Sequence, residues 1–173
     1  MILKIVKYPE PVLSQPGEPI TEFNAELRKL VADMFETTYA SQGIGLAAPQ
    51  VSVSKRLTVI DLSMGKNPKD KLVLINPEII LQEGKLYEEE GCLSFPEIRE
   101  KVSRAAKVRI RAQDDHGKWF EMDGADLLAR AMQHEIDHLD GILAIDRVVD
   151  MKTICTREEF EKRYRNTSPY ASI

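Results

Sequence analysis

The sequence predicts an α+β fold in which mixed, mainly antiparallel sheets pack around one central helix. Three observations carry this prediction: a helical pattern of apolar residues near the start, several short β-rich runs in the middle, and a second helical pattern after them. Strands that follow one another without an intervening helix are joined by hairpins, which favours antiparallel pairing over alternating βαβ units.

The length and composition limit the classes of protein that the chain can represent. We expect 173 residues to form a single domain over 1–173, with 43% hydrophobic residues sufficient for one core. A net charge of −4 argues against direct nucleic-acid binding, and no apolar run is long enough to span a membrane. With no signal peptide, and with Cys92 and Cys155 expected as free thiols, the expected location is the cytoplasm.

The first forty residues predict an arm followed by a helix. Four prolines within residues 9–19 exclude a regular helix or a central strand and indicate an extended arm that lies across the domain. Apolar residues at helical spacing then predict a helix over residues 21–40. Either Thr21 or Asn24 would cap its first turn.

The remainder of the chain predicts strands and two more helices. A hairpin turn is expected at residues 114–117, and a second helix over 123–140 with Asp123 as its cap. A charged helix over 156–165 precedes a short polar tail. The β-rich runs lie at residues 57–60, 72–75, 107–111 and 119–122.

The strongest chemical signal is Gln-His-Glu-Ile-Asp-His at residues 133–138. Histidines four residues apart on a helix project from the same face, so His134 and His138 can bind one ion. Glu135 can reach a water on that ion without binding the ion itself. Apolar neighbours predict that the helix is buried, and two buried histidines on one turn need a shared partner. The motif therefore predicts a metal-dependent hydrolase.

The third ligand of such a site has more than one candidate. Cys92 would supply a thiolate that the metal keeps ionised, although a lone cysteine is more often a small buried hydrophobe. A zincin-type protease would use an acid after the helix, where Glu158 and Glu159 lie at a suitable interval on a predicted solvated face. His116 lies in the predicted hairpin turn and belongs to no motif.

A glycine-rich stretch, Gly-Ile-Gly-Leu-Ala-Ala-Pro-Gln at residues 43–50, lacks the spacing of a phosphate loop or a dinucleotide fingerprint. One interpretation is a tight turn that leads into the sheet. The other is a backbone that a substrate approaches closely, with Gln50 as a side-chain donor. Glycines at 43 and 45 would let a peptide lie alongside as an added strand.

Residues 43–50, 90–94 and 133–138, in this order and at these separations, resemble the three signature motifs of the peptide deformylases. The resemblance extends from the Tyr8–Pro9 arm to about Asp146, and the chain matches loosely from about residue 147. It implies an enzyme that removes the formyl group from the N-terminal formyl-methionine of new polypeptides. The lack of a transit peptide leads us to expect a bacterial-type member.

The resemblance implies that Cys92, His134 and His138 bind the ion and that Glu135 serves as general base and acid. Glu135 would take a proton from the metal-bound water, the hydroxide would attack the formyl carbonyl, and the proton would pass to the departing amine. The family resemblance implies Fe²⁺, with Ni²⁺, Co²⁺ or Zn²⁺ as substitutes. The ligand set alone would suggest zinc.

Other roles are also carried over from the family. The side-chain amide of Gln50 and the backbone N–H of Leu93 would stabilise the oxyanion. Glu90 and Arg104 would form an ion pair that braces the active-site strand. The alternative is that they are two surface charges that contribute little to stability. Substrate would contact Ile44, Gly45, Leu127 and Ala131, with Arg130 at the pocket rim and Arg99 at the groove mouth.

The expected partners are formyl-methionyl nascent peptides and, through weak contact of the C-terminal helix, the ribosome. Two other interpretations make different predictions. A zincin-like endopeptidase would cleave unmodified peptides internally and would not depend on Cys92. An inactive relative that only binds peptides would have no need of Glu135.

Overall fold

The computed structural model describes residues 1–148 and 155–156. Within them the chain forms two α-helices, eight strands and several short 3-10 helices. The helices are α1 (Ala25–Ala40) and α2 (Asp126–Leu139). The strands are β1 (Gly45–Ala47), β2 (Leu57–Ile60), β3 (Leu72–Glu83), β4 (Leu86–Cys92), β5 (Phe95–Arg104), β6 (Lys107–Gln113), β7 (Trp119–Ala125) and β8 (Cys155–Thr156).

The strands form two sheets, and every pair of neighbouring strands is antiparallel. One sheet has the order β1-β2-β3-β6-β7, and the other has the order β4-β5-β8. Strands β4 and β5, and strands β6 and β7, are joined by short connections, as expected of antiparallel hairpins. The predicted α+β class is confirmed. No helix in the described part of the chain is both long and apolar enough to cross a membrane.

Helix α2 lies at the centre of the fold and contacts strands of both sheets. The five-stranded sheet is covered by α1 on one face and by α2 on the other. Leu57 and Val59 pack in the cluster that contains the α1 residues, whereas Ile60 packs with α2 residues. Because successive side chains of a strand point to opposite faces, β2 is buried on both sides.

The first two predicted helices are present, but their starts differ from the predictions. Helix α1 begins at Ala25, and Asn24 rather than Thr21 caps it by accepting a hydrogen bond from Leu27 N at 3.0 Å. The prediction that Asp123 caps the second helix is wrong. Asp123 lies in β7, where its carboxylate accepts a hydrogen bond from Arg109 of the neighbouring strand at 2.8 Å. The strand ladder therefore continues to Ala125 before α2 begins.

The sequence prediction misses β4 and β5 and places the end of β3 too early. A half-buried strand is normally recognised by apolar residues on alternate positions. The buried residues of these two strands include Glu90, Glu100 and Arg104, so the buried face carries charge instead of an apolar pattern. The predicted turn at residues 114–117 is present, with Gly117 at a φ of +86°.

The N-terminal arm is extended up to a short 3-10 helix at Pro11–Ser14, as predicted. Its backbone forms hydrogen bonds with two separate segments. Val6 N donates to Gln50 O at 2.7 Å, and Tyr8 N donates to Ser94 O at 3.1 Å. At the other end of the chain, Thr156 belongs to β8 rather than to a helix. The rest of the predicted helix over 156–165 lies outside the described residues.

Asp61 follows β2 and anchors the loop that leads to β3. Its fully buried carboxylate accepts hydrogen bonds from the Tyr39 hydroxyl, from the backbone and hydroxyl of Ser63, and from Gly65 N. Burial opposes ionisation of Asp61, but these hydrogen bonds hold its pKa below the ordinary value. The ionised carboxylate therefore contributes to the stability of the fold.

Replacing this carboxylate gives the first testable prediction. We expect Asp61→Asn to lower the free energy of unfolding by about 1–3 kcal/mol at neutral pH, because buried donors lose a charged acceptor. The folded pKa lies below the unfolded one, so this contribution is present above the unfolded pKa and is lost as pH falls through the folded pKa. Denaturant titrations should show that the difference in the free energy of unfolding between wild type and Asp61→Asn becomes smaller in acid. A difference in the free energy of unfolding that does not change with pH would contradict this account. The control is Asp70→Asn, at an exposed aspartate.

Candidate metal centre

Cys92, His134 and His138 lie together in the interior, between the end of β4 and the middle of α2. One potential ligand atom from each lies within 4.8 Å of those of the other two. The Cys92 sulfur is 3.4 Å from Nε2 of His138, and the two imidazole rings have centroids 4.9 Å apart. None of the three residues is more than 2% exposed. This is a compact set of one sulfur and two nitrogen ligands.

Local structure explains how the three residues meet. His134 and His138 are one turn apart on α2, so their side chains project from the same face. Cys92 ends β4, where the register with β5 shifts between Gly91 and Cys92. This irregularity ends the regular pairing and turns the chain towards Phe95. The cysteine thus lies at the end of the strand, directly before the turn, where its sulfur faces the helix.

The ring nitrogens of the two histidines are placed to bind a divalent metal ion, although the burial of His134 is outweighed by its hydrogen bonds with Cys92 and Glu90, which raise its pKa in the absence of an ion. Nδ1 of His134 lies 2.9 Å from Oε1 of Glu90, while its Nε2 is buried without a hydrogen-bond partner among the described residues. A proton on Nδ1 leaves the lone pair of Nε2 free for a metal. Burial also lowers the pKa of His138 well below its ordinary value, which favours the neutral, ligating form.

Glu90 connects the ligand cluster to two arginines. Arg104 binds it through two bonds, Nε to Oε2 at 2.9 Å and Nη2 to Oε1 at 3.0 Å. Nη1 of Arg130 also donates to Oε2. Burial alone would raise the pKa of Glu90, but the hydrogen bond with His134 and the charge of Arg104 hold it well below the ordinary value. Glu90 is therefore a buried anion that accepts a hydrogen bond from Nδ1 of His134.

The prediction that Arg130 lies at a pocket rim is wrong. Its side chain is only 3% exposed, and besides Glu90 it reaches the backbone carbonyls of Leu86, Glu88 and Val102 at 3.4 Å. The spacing correctly indicates the face of α2 that also carries His134. The buried anion on the facing strand then draws the guanidinium inward. Arg130 links α2 to the β4–β5 hairpin.

Glu135 is fully buried beside the ligand cluster. Its Oε2 lies 3.4 Å from the Thr58 hydroxyl, and Oε1 has no hydrogen-bond partner among the described residues. A Cβ added to Gly45 would lie 2.9 Å from Oε1, so this glycine makes room for the carboxylate. Burial raises the pKa of Glu135 to about 7, within the range suited to a general base. Thr58 carried no signal in the sequence.

Gln50 and the segment after Cys92 lie on another side of the cluster. Oε1 of Gln50 accepts a hydrogen bond from Ala47 N at 2.9 Å, and its Nε2 lies 3.7 Å from the Cys92 sulfur. Leu93 is buried next to Cys92 in the chain. The structure therefore brings the glycine-rich stretch, the cysteine turn and α2 together, although they are far apart in sequence.

The other predicted residues divide between near and distant positions. Ile44 and Ala131 are buried in one apolar cluster, against which Leu127 packs. Arg99 lies in β5 and is buried, and its place at a groove mouth stays a prediction. The His116 side chain is 71% exposed in its hairpin turn and does not join the ligands. Glu158 and Glu159, considered as zincin ligands, lie outside the described residues.

Comparisons with known proteins give matches over most of the chain. A family model described as polypeptide deformylase matches residues 2–153. The peptide deformylase of Acidobacterium capsulatum is 64% identical over 165 residues, which cover 95% of this chain and 97% of the relative. The chain belongs to the polypeptide deformylase family. Members of this family are metal-dependent enzymes that remove the N-formyl group from nascent peptides.

Solved deformylase structures share the fold. The peptide deformylase of Legionella pneumophila superposes with a TM-score of 0.83 at 40% identity, and the match covers 98% of this chain and 100% of the other. The enzyme from Thermotoga maritima gives a TM-score of 0.81 at 38% identity, with coverages of 87% and 99%. The predicted deformylase-like fold is confirmed. Membership of this family favours the deformylase interpretation over a zincin-like endopeptidase.

The position of Arg130 gives the second prediction. We expect Arg130→Met to weaken Zn²⁺ binding about tenfold, because the carboxylate that orients His134 loses one of its two guanidinium partners. Competition with a chromophoric chelator measures this affinity. The control is Arg109→Met, which removes an exposed ion pair with Asp123 and should leave metal binding unchanged. Equal affinities for the two variants would contradict a role for Arg130 in the metal centre.

Proposed function

We propose that this chain is a metal-dependent hydrolase that removes the formyl group from the N-terminal formyl-methionine of newly synthesised polypeptides. The observation that carries the proposal is the buried cluster of Cys92, His134 and His138 with Glu135 beside it. A buried carboxylate with no partner on one oxygen, next to a candidate metal site, is suited to carrying protons during hydrolysis.

We propose Fe²⁺ as the ion that Cys92, His134 and His138 hold, with Ni²⁺, Co²⁺ or Zn²⁺ as substitutes. Two imidazoles and a thiolate form a three-ligand set that accepts each of these ions. When bound, the ion would act as a Lewis acid and would make water a nucleophile near neutral pH. The choice of iron rests on the family resemblance, and the exposure of ferrous iron and its thiolate to oxygen makes anaerobic purification necessary.

Glu135 would carry the proton in this reaction. Its free Oε1 would accept a proton from the attacking water, while Thr58 restrains Oε2 from the opposite side. The same carboxyl group would then donate the proton to the amine nitrogen that leaves the formyl carbon. A pKa raised to about 7 by burial suits both steps, since neither transfer is then strongly uphill.

Two donors would stabilise the negative charge that develops on the formyl oxygen. One is Nε2 of Gln50, which lies on the cluster side of its amide, near the Cys92 sulfur. The other is the backbone N–H of Leu93, which follows Cys92 directly. Donors held in a buried site of this kind typically lower the barrier by several kcal/mol, on the order of 3 for one donor.

The methionine side chain would occupy the apolar surface formed by Ile44, Leu127 and Ala131. Ile44 and Ala131 are buried in one apolar cluster, and the partly exposed Leu127 packs against it. The backbone of the glycine-rich stretch could pair with the extended substrate as an added strand. Gly45 would serve this approach as well as the packing of Glu135.

The proposed substrate also defines the partners and the location. Formyl-methionyl nascent chains are made in the cytoplasm, where we propose that the enzyme acts. We also propose that residues 156–165 make weak contact with the ribosome. The whole of 1–173 would serve as one catalytic domain.

The proposed function gives the third prediction. Glu135→Gln should keep the metal but lower kcat for formyl-Met-Ala-Ser by at least about a hundredfold, because the ligands remain and the proton carrier is lost. Formate release by anaerobically purified, iron-loaded protein measures turnover, and metal content is measured on the same samples. Exposed Glu26→Gln on α1 is the matched control. Near wild-type release of formate by Glu135→Gln would refute the assigned role.

A further inference from the structure

We infer that Ser94, held by the N-terminal arm, is a positioning residue that fixes the side-chain amide of Gln50 towards the metal centre. The inference rests on the proposed function, in which Gln50 donates to the formyl oxygen. Ser94 is 2% exposed and lies two residues after Cys92 in the turn between β4 and β5. It is not one of the candidate ligands, proton carriers or oxyanion donors.

The amide of Gln50 is held at both of its polar ends. Oε1 accepts the backbone hydrogen of Ala47 at 2.9 Å, and Nε2 donates to the hydroxyl oxygen of Ser94 at 3.2 Å. The terminal torsion of a glutamine side chain is soft, so without such contacts its amide plane rotates over a broad range. The two contacts together restrict that rotation.

The direction of the bond between Gln50 and Ser94 follows from the other contact of the hydroxyl. Oγ of Ser94 lies 2.7 Å from the carbonyl oxygen of Val6, and a carbonyl can only accept. A serine hydroxyl has one hydrogen, so with that hydrogen given to Val6 it can only accept from Gln50. One amide hydrogen of Nε2 is therefore given to Ser94, and the other is left on the side of the Cys92 sulfur.

The N-terminal arm makes further contacts that hold this arrangement. Val6 N donates to Gln50 O at 2.7 Å, and Tyr8 N donates to Ser94 O at 3.1 Å. Nζ of Lys7 donates to the carbonyl of Leu93 at 2.9 Å, and the Tyr8 ring stacks on Phe95 with centroids 4.8 Å apart. Three consecutive arm residues thus bind both segments that carry the proposed oxyanion donors.

A double-mutant cycle tests whether Ser94 acts through Gln50. We expect Ser94→Ala to lower kcat for formyl-Met-Ala-Ser about tenfold, a fraction of the loss for removing an oxyanion donor, with KM changed less than about twofold. In a Gln50→Ala background the same substitution should change kcat less than about twofold. An equal loss in both backgrounds would overturn the inference. Thr38→Val removes another buried hydroxyl, on α1, and should leave kcat unchanged.

A second measurement does not depend on turnover. In the Zn²⁺-loaded protein, which is diamagnetic, the side-chain NH₂ signals of Gln50 can be assigned by their loss in Gln50→Ala. Ser94→Ala should shift these signals and speed their exchange with water, whereas Thr38→Val should not. Unchanged signals in Ser94→Ala would overturn the inference. A wild-type enzyme that releases no formate would refute the proposed function, and the NMR comparison would still decide the role of Ser94.

Discussion

The carboxylate of Glu90 connects the parts of the molecule on which the candidate site depends. It lies on β4, two residues before Cys92, and it contacts His134 on α2. A fully buried carboxylate is strongly destabilising unless it is paired, and Arg104 and Arg130 both pair with it. Because these partners come from β5 and α2, their bonds to Glu90 also set the position of the hairpin relative to the helix.

The charge network extends beyond Glu90. Asp137, one turn after Gln133 on α2, accepts hydrogen bonds from Arg104 at 2.6 Å and from Arg147 at 2.9 Å. Loss of one partner from a buried ion pair typically costs about 3–5 kcal/mol, because the other charge stays buried. The network therefore favours one arrangement of α2 and the hairpin, and with it one arrangement of the three candidate ligands.

Features of the site that depend on local spacing could be predicted from the sequence. The helical repeat alone places His134 and His138 on the same face of a helix, and the family motifs indicate Cys92 as the third candidate ligand. The roles of Arg130 and Ser94 could not be predicted, because each depends on a partner distant in sequence. Arg130 meets Glu90 across 40 positions, and Ser94 meets Val6 across 88. Spacing along the chain contains no information about such contacts.

The fold shows the same division. The order of elements gives the α+β class, since helical and strand periods are local properties. Strands β4 and β5 could not be predicted from an alternating apolar pattern, because their buried positions include Glu90, Glu100 and Arg104. An unpaired charge at Glu90 or Arg104 would oppose burial, and the ion pair between these two residues permits it. Glu90 and Arg104, whose charges interrupt the apolar pattern of these strands, also pair with each other beside the candidate metal centre.

We propose that the thiolate of Cys92 is the third ligand of the metal ion. The most direct test is the absorption spectrum of the Co²⁺-loaded protein, in which a thiolate ligand produces a sulfur-to-cobalt charge-transfer band. Cys92→Ser should abolish this band, whereas Cys155→Ser, which removes the other thiol, should retain it. A band that persists in Cys92→Ser, or that is absent from the wild-type protein with cobalt bound, would contradict the account.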